Sequence, residues 1–134
     1  LKKSMEDPET YAQCSVAMAY YLYRALEKAG MYAETEKCWD LWKKMVKDNL
    51  TTCVEDGVNG RSDCHAWGSL ILFELPAVVL GVHPAAPGYE KIAVEPNPGY
   101  LEWAKGEVIT KKGMVKVSWK KTESGVDVAY ELPQ

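Results

Sequence analysis

Several scarcities in this sequence each exclude something. Its four cysteines, Cys14, Cys38, Cys53 and Cys64, form no CxxC and no paired spacing, which argues against a zinc knuckle. There are two histidines. A metal held by His65 would need a second ligand one helical turn on, and position 69 is Ser, so neither a metal nor any other cofactor is expected. The net charge is -3 and no basic stripe appears, so nucleic acid is not an expected partner. No apolar run reaches the roughly 18 residues of a membrane span, and no signal peptide is recognisable, so no membrane partner is expected. The chain also lacks an initiating Met. It opens on "LKKSMEDPETYAQCSVAMAYY", inside a helical pattern, and is expected to be a piece of something longer, so the missing signals leave the compartment unknown. Phe is nearly absent: one, against eight Tyr and five Trp. Tyr and Trp join an apolar face to a polar handle, which suits sugar rings as well as ordinary cores.

What is present divides into two halves with different periods. Apolar residues make up 47% of 134 residues, enough for a core in one domain or in two small halves. Tyr11, Cys14, Ser15, Met18, Leu22, Ala25, Leu26 and Ala29 recur at three- and four-residue steps and predict a helix that opens near Pro8 and stops at Gly30. A second helix is predicted over 34–49, with Cys38, Leu41, Trp42 and Met45 as its inner stripe, packed antiparallel on the first. Cys14 and Cys38 read as small core residues on those faces. "HAWGSLILFELPAVVLGV" is apolar nearly all round and predicts a buried helix, broken or kinked by Pro76 and closed by Gly81. Behind the turn-rich "HPAAPGYEK" the period becomes two, and four or five antiparallel strands are predicted, with turns at Lys112-Gly113 and at 122–125. The expected class is α+β.

The loop between the second and third helices, "TTCVEDGVNGRSDCHAWGS", holds most of the reactive side chains. Glu55 and Asp56 are adjacent, so on an extended backbone they point to opposite sides and cannot pair as acid and base on one substrate. Ser62 or Asp63 is a natural N-cap for the helix that follows. Arg61 can orient a carboxylate by a bidentate contact or hold a ligand hydroxyl. His65 is expected in the first helical turn, two residues before Trp67. Cys53 and Cys64 bracket the loop, and their spacing leaves a disulfide open. Asp56, Gly57 and Asn59-Gly60 supply turns. A carboxylate, a guanidinium, an imidazole and an indole in so short a span suit a sugar site.

"TTCVE", "RSDCHAW" and the stretch from "LGVHPAAPGYEK" through "MVKVSW" resemble the C-terminal region of bacterial α-L-rhamnosidases, over about residues 8–133. That resemblance implies the last helices of an (α/α)6 barrel over 1–82, then a partial antiparallel β-sandwich over 83–134. It implies an inverting glycoside hydrolase acting on terminal α-L-rhamnosyl residues of glycans or glycosides. Glu55 falls on the family's general base, and His65 and Trp67 fall on positions that line its rhamnose-binding subsite; Arg61, Ser62 and Asp63 match the family string and are expected mainly to scaffold the site, with Arg61 also a candidate for substrate binding. No residue here matches the family's general acid, so this chain is expected to be inactive alone. A glycan-degrading parent favours a periplasmic or secreted location. Tyr20, Tyr23, Trp39 and Trp42 are expected on an uncovered inner face, which would promote self-association. A second enzymatic reading is another exo-glycosidase on the same barrel. A reading from a different class is a non-catalytic carbohydrate-binding or structural module.

Overall fold

The computed structural model describes residues 1–57 and 60–133; Asn59 of the expected turn lies outside them. The chain is α+β and separates into two compact units, Leu1–Ile71 and Leu72–Gln134.

In the first unit the long predicted helices are shorter and assembled from pieces. Helix α1 (Lys2–Glu6) is followed by a turn at Asp7, whose Oδ1 accepts from the Thr10 amide at 3.0 Å. The Gln13 side-chain amide donates to the carbonyls of Ser4 and Tyr11, both at 2.9 Å. These local bonds compete with helical ones, which is why the Tyr11–Ser15 stretch is not helical despite its period. A 3-10 turn (Val16–Met18) then leads into α2 (Ala19–Lys28). Gly30, at φ 66°, ends α2 as expected. The amides of Gly30 and Met31 bond the carbonyls of Glu27 and Leu26, closing the helix end in a left-handed cap. The second helix likewise splits into a 3-10 segment (Tyr32–Cys38) and α3 (Asp40–Lys47). Asn49, at φ 55°, provides the same kind of cap, with the Leu50 amide on the Met45 carbonyl at 3.0 Å.

The unit's core is aromatic. The Tyr23 ring lies 6.4 Å from Tyr32, 6.3 Å from Trp39 and 6.4 Å from Trp42 between centroids. Leu26, Met45, Val54 and Leu70 are buried alongside. The expectation of an uncovered aromatic face is therefore corrected: Tyr23, Trp39 and Trp42 bury one another, and only Tyr20 stays exposed. Cys14 is also displaced from its expected core place, being exposed outside the helix, while Cys38 is half-buried.

The predicted third helix becomes three short pieces: a 3-10 segment (Ala66–Leu70), α4 (Ile71–Phe73) and a π-helical turn (Glu74–Val79) that contains Pro76. Proline has no amide to give and its ring crowds the preceding turn, so the α-helix ends at Phe73, where a break or kink was expected, and widens into the π turn. In the second unit, β1 (Val82–Pro84) pairs antiparallel with β2 (Ile92–Val94). A separate antiparallel sheet runs β3 (Trp103–Thr110), β4 (Gly113–Thr122), β5 (Gly125–Glu131), in that order. The β3–β4 turn is tied by the Thr110 hydroxyl, which donates to the Gly113 carbonyl at 2.9 Å. One face of this sheet buries Val115, Val117 and Trp119, and the Trp119 indole donates to the Val79 carbonyl of the π turn at 2.7 Å.

Gly81 joins the π turn to β1. Its φ is +73°, its carbonyl accepts from the Glu95 amide at 2.9 Å, and a Cβ there would lie 2.2 Å from the Glu95 and Pro96 backbone. Backbone cannot yield as a flexible side chain can. Gly81→Ala is therefore expected to destabilise the second unit by about 2–4 kcal/mol. Urea unfolding of the variant beside the parent chain checks this; a midpoint unchanged by the substitution would contradict the packing.

Candidate functional site

The candidate loop, 51–69, lies wholly in the first unit. Its two arms are stitched by main-chain bonds. The Glu55 amide donates to the Ser62 carbonyl at 2.9 Å and the His65 amide to the Cys53 carbonyl at 2.7 Å. The Thr52 hydroxyl adds a bond to the Asp63 carbonyl at 2.6 Å. The tip is turned by the Gly60 amide on the Gly57 carbonyl at 3.0 Å. Val54 between the arms is fully buried. Alternation along an extended segment then sends the neighbouring Glu55 side chain the other way.

On that side the predicted residues meet. Arg61 grips Glu55 with both ends of its fork: Nε donates to Oε2 at 2.7 Å, and Nη2 bonds Oε1. His65 Nε2 stands 3.9 Å from Glu55 Oε1, close enough for charge but too far for a hydrogen bond. The His65 and Trp67 rings meet edge to face, 5.6 Å between centroids. Exposure is uneven. The Glu55 and His65 side chains are 21% and 24% exposed, the Arg61 side chain is 79% exposed, and Trp67 is 63% exposed. A partly sheltered carboxylate and imidazole thus lie beside an open indole. The bidentate hydrogen bonds from Arg61 hold the Glu55 carboxyl below the ordinary carboxylate range. Partial burial opposes this, and the nearby Arg61 and His65 add to it electrostatically.

Two details depart from the expected picture. His65 is not in the first helical turn but precedes it in an extended conformation, φ -124° and ψ 119°, and no side chain caps the 3-10 segment that follows. Ser62 and Asp63 contribute carbonyls to the loop's stitching instead of a cap. Cys53 and Cys64 are free thiols.

Support for the site comes from residues whose role the sequence did not announce. The Trp42 indole, read as part of a helix stripe, donates to the Gly68 carbonyl at 2.7 Å and fixes the segment carrying His65 and Trp67. Gly68 itself presses on the loop's other arm, where a Cβ would meet the Val54 carbonyl at 2.3 Å. Thr52 was visible only as half of a Thr-Thr pair. Among the described residues no group of three or more His, Cys, Asp or Glu could hold a metal ion. Nor, among them, is any helix long and apolar enough to cross a membrane.

Comparison with known proteins agrees with the resemblance read from the sequence. The family described as bacterial alpha-L-rhamnosidase C-terminal domain matches residues 81–134. An alpha-L-rhamnosidase from Alteromonas sp. (strain LOR) is 28% identical over 100 residues, which cover 71% of this chain and 10% of that protein. The chain is thus similar to the C-terminal region of a bacterial α-L-rhamnosidase and spans about a tenth of that relative's length. No solved structure matches it.

Since the Glu55 pKa is depressed, the Glu55–Arg61 pair contributes to stability above the ordinary carboxylate range, and that contribution fades as pH falls through the lowered value. Arg61→Met is expected to return the Glu55 carboxyl toward its ordinary range, read by carbon-detected NMR titration. An unmoved titration would show that Arg61 does not set the ionisation of Glu55.

Proposed function

We propose that the chain is the C-terminal part of an inverting α-L-rhamnosidase that removes terminal α-L-rhamnosyl residues from glycans or glycosides. In this reading residues 1–82 complete an (α/α)6 barrel, and 83–134 open a C-terminal β-sandwich. The observation that carries it is the meeting of Glu55, Arg61, His65 and Trp67 on one side of a short stitched loop, in a chain similar to a rhamnosidase.

Inverting hydrolysis needs one carboxyl group to protonate the leaving oxygen and a second to activate water on the opposite face, the two about 6.5–9.5 Å apart. Glu55 has the properties of the second. Its pKa is lowered, it is held by both ends of the Arg61 fork, and it is partly sheltered from bulk water. As base it takes a proton from water while the water oxygen bonds to the anomeric carbon and the glycosidic bond breaks. Arg61 orients the carboxylate, and its exposed guanidinium can also reach a sugar hydroxyl. His65 binds ring hydroxyls, and the open Trp67 indole covers the apolar side of the sugar. The general acid lies outside this chain, so these 134 residues alone do not turn over substrate.

The test is hydrolysis of an aryl α-L-rhamnoside by the full-length protein containing this chain, beside its Glu55→Gln variant. The expected result is a loss of kcat by a factor of about 10²–10⁴ or more, with circular dichroism unchanged. Trp67→Ala is expected to raise KM more than it lowers kcat. Full activity in Glu55→Gln removes Glu55 from the mechanism. A wild-type protein inactive on rhamnosides points instead to another exo-glycosidase or a non-catalytic carbohydrate-binding module.

A further inference from the structure

A second cluster of uncommitted side chains lies on the sheet of the other unit. Strand alternation puts Trp103, Lys105, Ser118, Lys120, Asp127 and Ala129 on the face opposite the Val115–Val117–Trp119 core. The register arranges them as two rows across the three strands, Trp103–Lys120–Asp127 and Lys105–Ser118–Ala129. Between them runs Ala104–Trp119–Val128, whose side chains turn the other way; the Trp119 indole is bonded to Val79 on the far face. An open groove of about 340 Å³ results, lined by both rows and by the Ala104–Trp119–Val128 row between them. At its β3 edge the Trp103 indole is 66% exposed.

The polar groups along this groove are unspent. Lys116 and Glu131 are cross-strand partners and form an ion pair at 2.9 Å. Lys120 and Asp127 are cross-strand partners in the same sheet, yet no ion pair joins them among the described residues. Lys105 and Ser118 likewise make no side-chain hydrogen bond or ion pair among the described residues. Rows two residues apart stand about 7 Å from each other, wide enough for one flat ring and too narrow for the roughly 10 Å of a helix. Two ammonium groups against one carboxylate give the groove a positive balance.

We infer that this groove binds one pyranose unit of an acidic saccharide. The ring's apolar face stacks on Trp103, its carboxylate or sulfate meets Lys105 and Lys120, and Ser118 and Asp127 take hydroxyls. The site lies in the second unit and stands independently of the hydrolase reading, since none of its residues belongs to the 51–69 loop.

The test titrates the ¹⁵N-labelled chain with methyl β-D-glucuronide and, separately, with its neutral isostere methyl β-D-glucoside. The expected result is movement of the Trp103 indole signal, out of the five tryptophans, and of amides in 103–105, 118–120 and 127–129. The glucuronide should bind about tenfold more tightly than the glucoside, and added salt should weaken it. Trp103→Ala should abolish these shifts while leaving spectral dispersion intact. Lys105→Gln with Lys120→Gln should reduce glucuronide affinity to that of the glucoside. No movement at these residues with either sugar overturns the site, and equal affinity for the two overturns its preference for an acidic ligand. Failure of either kind leaves rhamnoside hydrolysis by the full-length protein unaffected, so the two proposals fail separately.

Discussion

The candidate site depends on the burial of Val54 between two main-chain hydrogen bonds. With its side chain fully covered and the amides of Glu55 and His65 tied across the loop to Ser62 and Cys53, the backbone around Glu55 has one direction left for the carboxylate. The Arg61 and His65 contacts follow from that direction. A Val54 side chain that slipped outward would turn Glu55 inward and dissolve the cluster. Gly68 and Trp42 hold the loop from the other side, one by a contact too close for any Cβ and one by an indole hydrogen bond, so the loop's order is inherited from the aromatic core beneath it.

The electrostatics carry a tension that bears on mechanism. A guanidinium clamped on Glu55 favours its ionised form and holds the carboxylate, but the same clamp would make it a weaker base. In the proposed inverting hydrolysis this would be tolerated, because the attacking water becomes acidic as it bonds to an oxocarbenium-like centre. Orientation and ionisation are then what the proposed base would need in advance, and the Arg61 contacts bear on both. The exposure of Arg61 leaves its guanidinium open to solvent beside the carboxylate, where the proposed function would have it meet a sugar hydroxyl.

Much of this was legible in the sequence, and the shortfalls have physical causes. The caps at Gly30 and Gly81, the change from helical to alternating period, and the strand turns near Gly113 and Gly125 were readable because glycine and alternation report backbone geometry directly. Helix lengths were not. The side chains of Asp7 and Gln13 took backbone partners that the apolar period could not reveal, and near Pro76 the α-helix ends at Phe73, where a break or kink was expected, but passes into a π turn. The meeting of Glu55, Arg61, His65 and Trp67 was expected from their density in one loop, whereas the main-chain stitching that creates it carries no residue-specific signal. The cover over Tyr23, Trp39 and Trp42 was missed because an aromatic stripe can bury against itself as readily as against absent neighbours. The groove around Trp103 needed the register of three strands, which only the folded sheet supplies.

The central claim is that the Glu55 carboxylate acts on the face of the sugar opposite the leaving group. It is tested most directly by azide rescue of a Glu55→Ala variant of the full-length protein, assayed on an aryl α-L-rhamnoside. The account predicts that azide restores turnover and yields the β-L-rhamnosyl azide, because the small anion occupies the place vacated by the carboxylate and its water. No rescue in a folded variant, or an α-configured azide, would contradict it.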